Sequence, residues 1–231
     1  MTNNDITSIQ GRRRDAPIWI MLGVLALIAA LVVISWALAG SRVPSYVGKP
    51  LEGETKAQVV ARNSPLTDYV FLTENASFPR SEEIDSITIH HMAGNLALDG
   101  LGDTFSKRDA QASANYAIDS DGDVAMYVEE ANRAWTSNDR DIDERSVTIE
   151  VANDEMYGDW HVSDKAFDKL VELCADIFKR NGIEKANFTG GLDGNLLYHG
   201  MSDESTECPG PYLTNRMGEL ADAVNERLAQ Q

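Results

Sequence analysis

The sequence predicts an α/β domain carried behind one apolar segment. Three observations lead there: β-branched runs at Ser86–His91 (SITIHH) and Ser146–Ala152 (SVTIEVA), a hairpin pattern between them, and two amphipathic helical stretches after them. Strands alternating with helices give the α/β class, and a 231-residue chain has room for one sizeable core and an appendage.

Taken in order, residues 18–39 form twenty-two positions without a charge. As a helix rising about 1.5 Å per residue they reach roughly 33 Å, enough to span bilayer hydrocarbon. Arg12, Arg13 and Arg14 precede the run and Trp19 and Trp36 sit near its ends, so the chain after Gly40 is expected outside the cell membrane. The alternative is secretion after cleavage near Ala39, because Ala37-Leu38-Ala39 has the small-x-small form, although the run exceeds the usual signal length. The expected organisation is a cytoplasmic N-terminus at 1–17, a transmembrane signal-anchor at 18–40, a linker at 41–64 and a folded domain at 65–231. The linker reading rests on Pro44, Pro50 and the lack of a sustained apolar period.

Within the domain, 115–118 and 124–128 flank the turn residues Asp119 to Asp123 as a hairpin would. The same acidic run with Glu130 imitates a calcium loop, but Val124 stands where such a loop needs glycine. Ser163 to Asn181 is the clearest helix, with Phe167, Leu170, Val171, Cys174, Ile177 and Phe178 on one face. Ser163 is its N-cap, Val162 and Phe167 stand at the staple positions, and Gly182 supplies the left-handed residue beyond its end. A second helix starts at Pro211 and buries Leu213, Met217, Leu220, Ala221, Val224 and Leu228.

Charge and cysteine content exclude some functions. Residues 41–231 carry 17 basic and 35 acidic side chains, a net of −18, which excludes nucleic-acid binding through a basic surface and repels anionic lipid and wall polymers. Two cysteines cannot build a disulfide framework, which leaves one bridge or one metal ligand open.

His90 and His91 end a strand, and His199 and Cys208 follow in a loop-rich stretch. Two imidazoles and a thiolate form a recognised catalytic zinc set with one position left for water. Adjacent strand residues point to opposite faces, so only one of His90 and His91 can serve as a ligand. Spacing alone leaves this set open against structural histidines and a buried thiol.

Four blocks narrow the choice: ITIHHMAG at 87–94, SANYAIDSDGDVAMYVEEANRAW at 113–135, SVTIEVAND at 146–154 and TECPGPYL at 206–213. In this order they resemble the zinc-dependent N-acetylmuramoyl-L-alanine amidases of the peptidoglycan-recognition-protein superfamily. The resemblance implies a mixed central β-sheet flanked by α-helices and a zinc ion held by His90, His199 and Cys208. It implies Glu150 as general base and Thr206 as oxyanion donor, and it places a family tyrosine on Ala114. His91, Asn115 and Trp135 are candidates for lining the substrate groove. The implied reaction is hydrolysis of the amide between N-acetylmuramic acid and the L-alanine of the stem peptide in peptidoglycan. A non-catalytic recognition domain of the same fold and a Cys-His hydrolase using Cys208 are the alternatives. The retained Cys208 and Glu150 favour catalysis over the first, and the intact block pattern speaks against the second.

Overall fold

The computed structural model describes residues 47–230. The expected anchor at 18–40 lies outside the described residues, and among the described residues no helix is long and apolar enough to cross a membrane.

A six-stranded sheet organises the domain. Its strands are β1 (Tyr69–Val70), β3 (Ser86–His91), β4 (Tyr116–Ile118), β5 (Val124–Met126), β7 (Ser146–Val151) and β8 (Leu196–Tyr198), in the spatial order β1-β5-β4-β7-β3-β8. All neighbours are parallel except the antiparallel β4–β5 hairpin, so the sheet is mixed. A small ribbon pairs β2 (Ala76–Ser77) with β6 (Arg133–Ala134). Asp119 Oδ1 accepts from the Asp121 and Asp123 amides, which makes the acidic run the turn of the hairpin.

The alternation in SITIHH and SVTIEV divides the sheet into two chemically different faces. Ile87, Ile89, Val147, Ile149, Val151, Tyr116 and Ile118 join one core cluster. Two long helices complete that cluster, α4 (Asp164–Arg180) and α5 (Pro211–Ala229), which bury Leu170, Leu173, Ile177 and Phe178 from the first and Leu213, Met217, Leu220 and Val224 from the second. Each such side chain contributes about 1.5–3 kcal/mol on burial. On the other face the register pairs Ser86 with Ser146, Thr88 with Thr148 and His90 with Glu150. The Ser86 and Ser146 hydroxyls lie 2.7 Å apart and Thr88 donates to Ser146 Oγ at 2.9 Å, so the polar rungs satisfy one another. Short helix α2 (Leu98–Phe105) packs near this face through Leu101 and Phe105, in a second cluster with Phe71, Ala117, Ala125 and Tyr127.

The helix boundaries agree with the sequence signals. Ser163 Oγ accepts from the Ala166 amide at 3.1 Å, and Gly182 adopts φ +70° after α4. Below the sheet, Arg180 forks onto the buried Glu130 at 2.6 and 2.8 Å while the Tyr116 hydroxyl donates to the same carboxylate at 2.5 Å. Arg80 donates to the carbonyls of Glu130, Asn132, Glu144 and Ser146 at 2.6–3.1 Å, which ties the hairpin's return to the start of β7.

The linker expected at 41–64 is different in its described part. Residues 47–64 fold onto the domain: Gly48 and Leu51 amides donate to Leu72 and Val70 carbonyls, Pro50 bridges Phe71, and helix α1 (Gly53–Val60) buries Val59. The segment's two buried apolar anchors, Leu51 and Val59, stand eight residues apart, too far to make a visible apolar period. The short α3 (Arg140–Arg145) and the two-residue strands also lack a local signal, because long-range pairing and the Asp139 cap hold them.

Candidate active site

The site is built on the polar face at the C-terminal ends of the parallel strands, where open α/β sheets bind ligands. Because His90 of β3 and Glu150 of β7 are register partners, their side chains leave the sheet on the same side. β8 pairs Ile89 with Tyr198, so the next position, His199, falls beside His90. The two imidazoles lie 4.6 Å apart between ring centroids, tilted by 45°. Cys208 arrives from the segment before α5. It is locked there by its carbonyl accepting the Gly200 amide at 2.9 Å and by the His91 amide donating to its Sγ at 3.4 Å. Gly210, at φ +86°, is needed for this approach, since a Cβ there would lie 2.8 Å from Trp160 Cβ.

His90, His199 and Cys208 place their ligand atoms within 4.8 Å of one another, and among the described residues this is the one such group. His90 Nδ1 stands 3.7 Å from Cys208 Sγ. Tetrahedral zinc with about 2.3 Å to sulfur and 2.0–2.1 Å to nitrogen sets these donors about 3.6 Å apart. His199 Nε2 and Glu150 Oε2 are buried without a hydrogen-bond partner, a costly state for polar atoms unless a ligand completes them. The donor set therefore fits zinc.

Electrostatics agree with that use. Burial, then the neighbouring His199 and His91, holds the His90 imidazole well below its ordinary pKa, and burial also lowers His199, so both rings stay neutral. Burial alone pushes the Glu150 carboxyl up to about 8. Burial, together with the Glu150 charge, raises the Cys208 thiol in the metal-free site, and a cation would reverse this.

Ser137 and Asp143 support the cluster, and sequence reasoning did not find them. Ser137 Oγ lies 3.3 Å from His90 Nε2, and the Ser137 backbone hydrogen-bonds the His199 ring. The tautomer that leaves His90 Nδ1 free for a metal carries its proton on Nε2 and donates to Ser137. Asp143, 2% exposed, accepts the Thr136 amide at 3.0 Å and the Ser137 amide at 3.2 Å, and takes a further bond from the Ser137 hydroxyl. A recess of about 280 Å³ opens beside Ser137, Asp139, Ser202 and Asp203. Larger recesses lie away from the cluster, between α4 and α5 and around Glu82 and Arg140.

The other expected site residues divide. Thr206 stands at the cluster, its Oγ1 accepting the Cys208 amide at 3.1 Å, which leaves its hydroxyl proton free to donate outward. His91 points to the opposite side of the sheet from His90 and meets Trp160 edge-on at 5.2 Å. Asn115 does not line a groove: it is fully buried, donating to the Val128 carbonyl at 3.2 Å and accepting the Thr148 amide at 3.1 Å, and so joins the hairpin to β7. Trp135 is half-buried on the β2–β6 ribbon, its indole donating to Ser77 Oγ at 3.1 Å. Ala114 is fully buried and offers no hydroxyl, and the nearby Tyr116 turns its own to Glu130.

Comparison with known proteins bears on this geometry. The family model described as N-acetylmuramoyl-L-alanine amidase matches residues 80–211. No curated protein sequence matches the chain. Among solved structures, the hydrolase AmiA of Staphylococcus aureus in complex with its ligand superposes with a TM-score of 0.53 at 14% identity, over 80% of this chain and 95% of that one. AmpD gives 0.52 at 16% identity over 66% and 93%, and a mutant endolysin from Bacillus subtilis gives 0.51 at 15% over 67% and 96%. These similarities establish a shared fold.

Proposed function

The chain belongs to the N-acetylmuramoyl-L-alanine amidase family, and from that premise we propose that it is a zinc-dependent peptidoglycan hydrolase cutting the amide between N-acetylmuramic acid and the L-alanine of the stem peptide. The observation that carries the proposal is the convergence of His90 Nδ1, Cys208 Sγ and the unpartnered His199 Nε2 on one point of the sheet, with the unpartnered Glu150 Oε2 on the neighbouring strand.

Amides resist hydrolysis because the carbonyl is weakly electrophilic and the amine leaves badly. Zinc, when bound, supplies Lewis acidity that acidifies water and polarises a carbonyl. His90, His199 and Cys208 hold the ion, and Ser137 fixes the His90 ring so that Nδ1 stays aimed at it. Glu150 Oε2 accepts the proton of the attacking water. Burial pushes this carboxyl above the ordinary carboxylate range, so the group that takes the proton can also return it to the departing alanine nitrogen. The Thr206 hydroxyl, anchored by the Cys208 amide, donates to the oxyanion that develops on the carbonyl. We further propose that residues 18–40 anchor the protein in the cell membrane with the hydrolase domain outside.

The test is release of free stem peptide from purified muropeptides, with metal content measured on the same samples, for wild type and Glu150→Ala. One zinc per chain in both proteins with release by the wild type only is the expected result. Zinc in both and release by neither would instead make the groove a recognition site.

A further inference from the structure

The segment joining β7 to α4 presents aromatic groups at the same rim of the sheet as the metal-ligand cluster. Tyr157 is 72% exposed and Met156 56% exposed; among the described residues the other large apolar side chains, Leu96 and Leu192 apart, are covered. Tyr157 and Trp160 both take left-handed backbone angles, φ +71° and +59°, which bulky residues rarely adopt. The surroundings hold the Trp160 side of this turn, and the Tyr157 carbonyl accepts the Trp160 amide at 3.3 Å. Asn153 Nδ2 donates to the Trp160 carbonyl at 2.8 Å, the Asp154 amide donates to the His161 carbonyl at 3.1 Å, and the Tyr212 amide donates to the Asp159 carbonyl at 2.8 Å. Strain held in place by so many bonds is a mark of a functional position.

The aromatic groups form a continuous strip. Tyr157 lies 5.7 Å from Trp160, Trp160 lies 5.2 Å from His91, and the His91 amide donates to Cys208 Sγ. The His91 ring lies across the sheet from His90, so the strip meets the cluster at the rim through backbone: the His91 amide on Cys208 Sγ, and Gly210, two residues past Cys208, packed against Trp160. Its borders are acidic: Asp154, Glu155 and Asp159 all lie close enough to act on His161, whose Nδ1 sits 2.6 Å from Asp154 Oδ1. A ligand bearing carboxylates, as stem peptides do, is repelled here. A neutral ring with one apolar face and hydroxyl donors suits both the aromatic surface and the carboxylate rim.

We propose that Tyr157 and Trp160 form a stacking subsite for a neutral amino-sugar residue of the glycan strand next to the muramic acid whose amide is cut. This assignment rests on the peptidoglycan amidase reading, and it gives the substrate a direction: glycan over the Tyr157 strip, stem peptide away from it.

The experiment compares full-length wild type, Tyr157→Ala and Tyr157→Asn; asparagine tolerates the left-handed backbone, so a loss shared by both variants is not a folding defect. Two readouts are taken. The first is tryptophan fluorescence on titration with tetra-N-acetylglucosamine, which lacks any stem peptide. The second is KM for a disaccharide-peptide against a single-sugar muramyl peptide. The wild type is expected to bind the tetrasaccharide and to favour the disaccharide substrate about three- to tenfold in KM, and both variants to lose the binding and the preference. Retention of both properties in the variants overturns the proposal, as does binding of free stem peptide, but not of the sugar, through Tyr157. If the wild type cuts neither substrate yet binds the tetrasaccharide through Tyr157, the hydrolase reading fails and the subsite stands.

Discussion

Asp143→Ala tests how the fold holds the metal ligands. The Asp143 carboxylate is 2% exposed and accepts the Thr136 and Ser137 amides, and Ser137 Oγ in turn stands 3.3 Å from His90 Nε2. Hydrogen bonds to a charged group are worth about 1.5–3 kcal/mol each, so the two amide bonds give about 3–6 kcal/mol, to which the Ser137 hydroxyl adds. Burial raises the Asp143 carboxyl above its ordinary value despite these bonds, so part of that gain offsets the cost of burying the charge. A net loss of about 2–4 kcal/mol remains, which for a domain of this size lowers Tm by about 4–16 °C. With Ser137 released, His90 loses its orientation, and zinc affinity falls about 10- to 100-fold, as for other ligand-orienting groups. Thermal unfolding followed by circular dichroism on chelated protein reads the first effect, and competition with a chromophoric zinc chelator reads the second. Asp143→Asn keeps one acceptor oxygen and recovers part of both. An alanine variant within about 0.5 kcal/mol of wild type that binds zinc as tightly would refute the reasoning.

Further predictions concern other groups. In chelated protein the Glu150 carboxyl is raised by burial from 4.5 to about 8, so the folded state holds the proton more tightly than the unfolded chain. Its contribution is present below pH 4.5 and is lost as pH rises through about 8; Glu150→Gln flattens this loss in urea unfolding, while in the zinc form it abolishes turnover without releasing metal. The Asp154 hydrogen bond raises His161 above 6.5, so that pair stabilises the loop at low pH and the stabilisation is lost as pH rises through the raised value. Titration of the His161 ring by NMR is expected to return to the ordinary value in Asp154→Asn. Arg80→Ala strands the five carbonyls that its guanidinium now serves and is expected to cost about 3 kcal/mol or more in chemical denaturation. A loss below about 0.5 kcal/mol would mean that water replaces the guanidinium at no cost.

What could be read from the chain follows the range of each interaction. SITIHH, SVTIEV and the helices at 163–181 and 211–229 carry their periodicity within a few residues, so their class and nearly their limits were visible. The parallel register that sets His90 beside Glu150 has no local trace; only the family blocks pointed to the pair. Ser137 and Asp143 were silent because an ordinary serine and aspartate matter here through a ring 47 positions away in the chain. Asn115 was misread because a buried amide that ties a hairpin to a strand looks, in sequence, like any polar residue near a site. Tyr157 and Trp160, two aromatics beside Gly158 in an otherwise acidic stretch, carry no periodicity or spacing that sets them apart in the sequence.

The docking of residues 47–64 onto the domain moves the place at which the domain can be cut free. A fragment starting at residue 65 loses the Gly48 and Leu51 amide bonds to the Leu72 and Val70 carbonyls and uncovers the sites that Leu51 and Val59 fill. Burying side chains of that size is worth about 1.5–3 kcal/mol each, so removing the segment weakens the β1 edge of the sheet. The smallest excisable unit therefore begins no later than Val47.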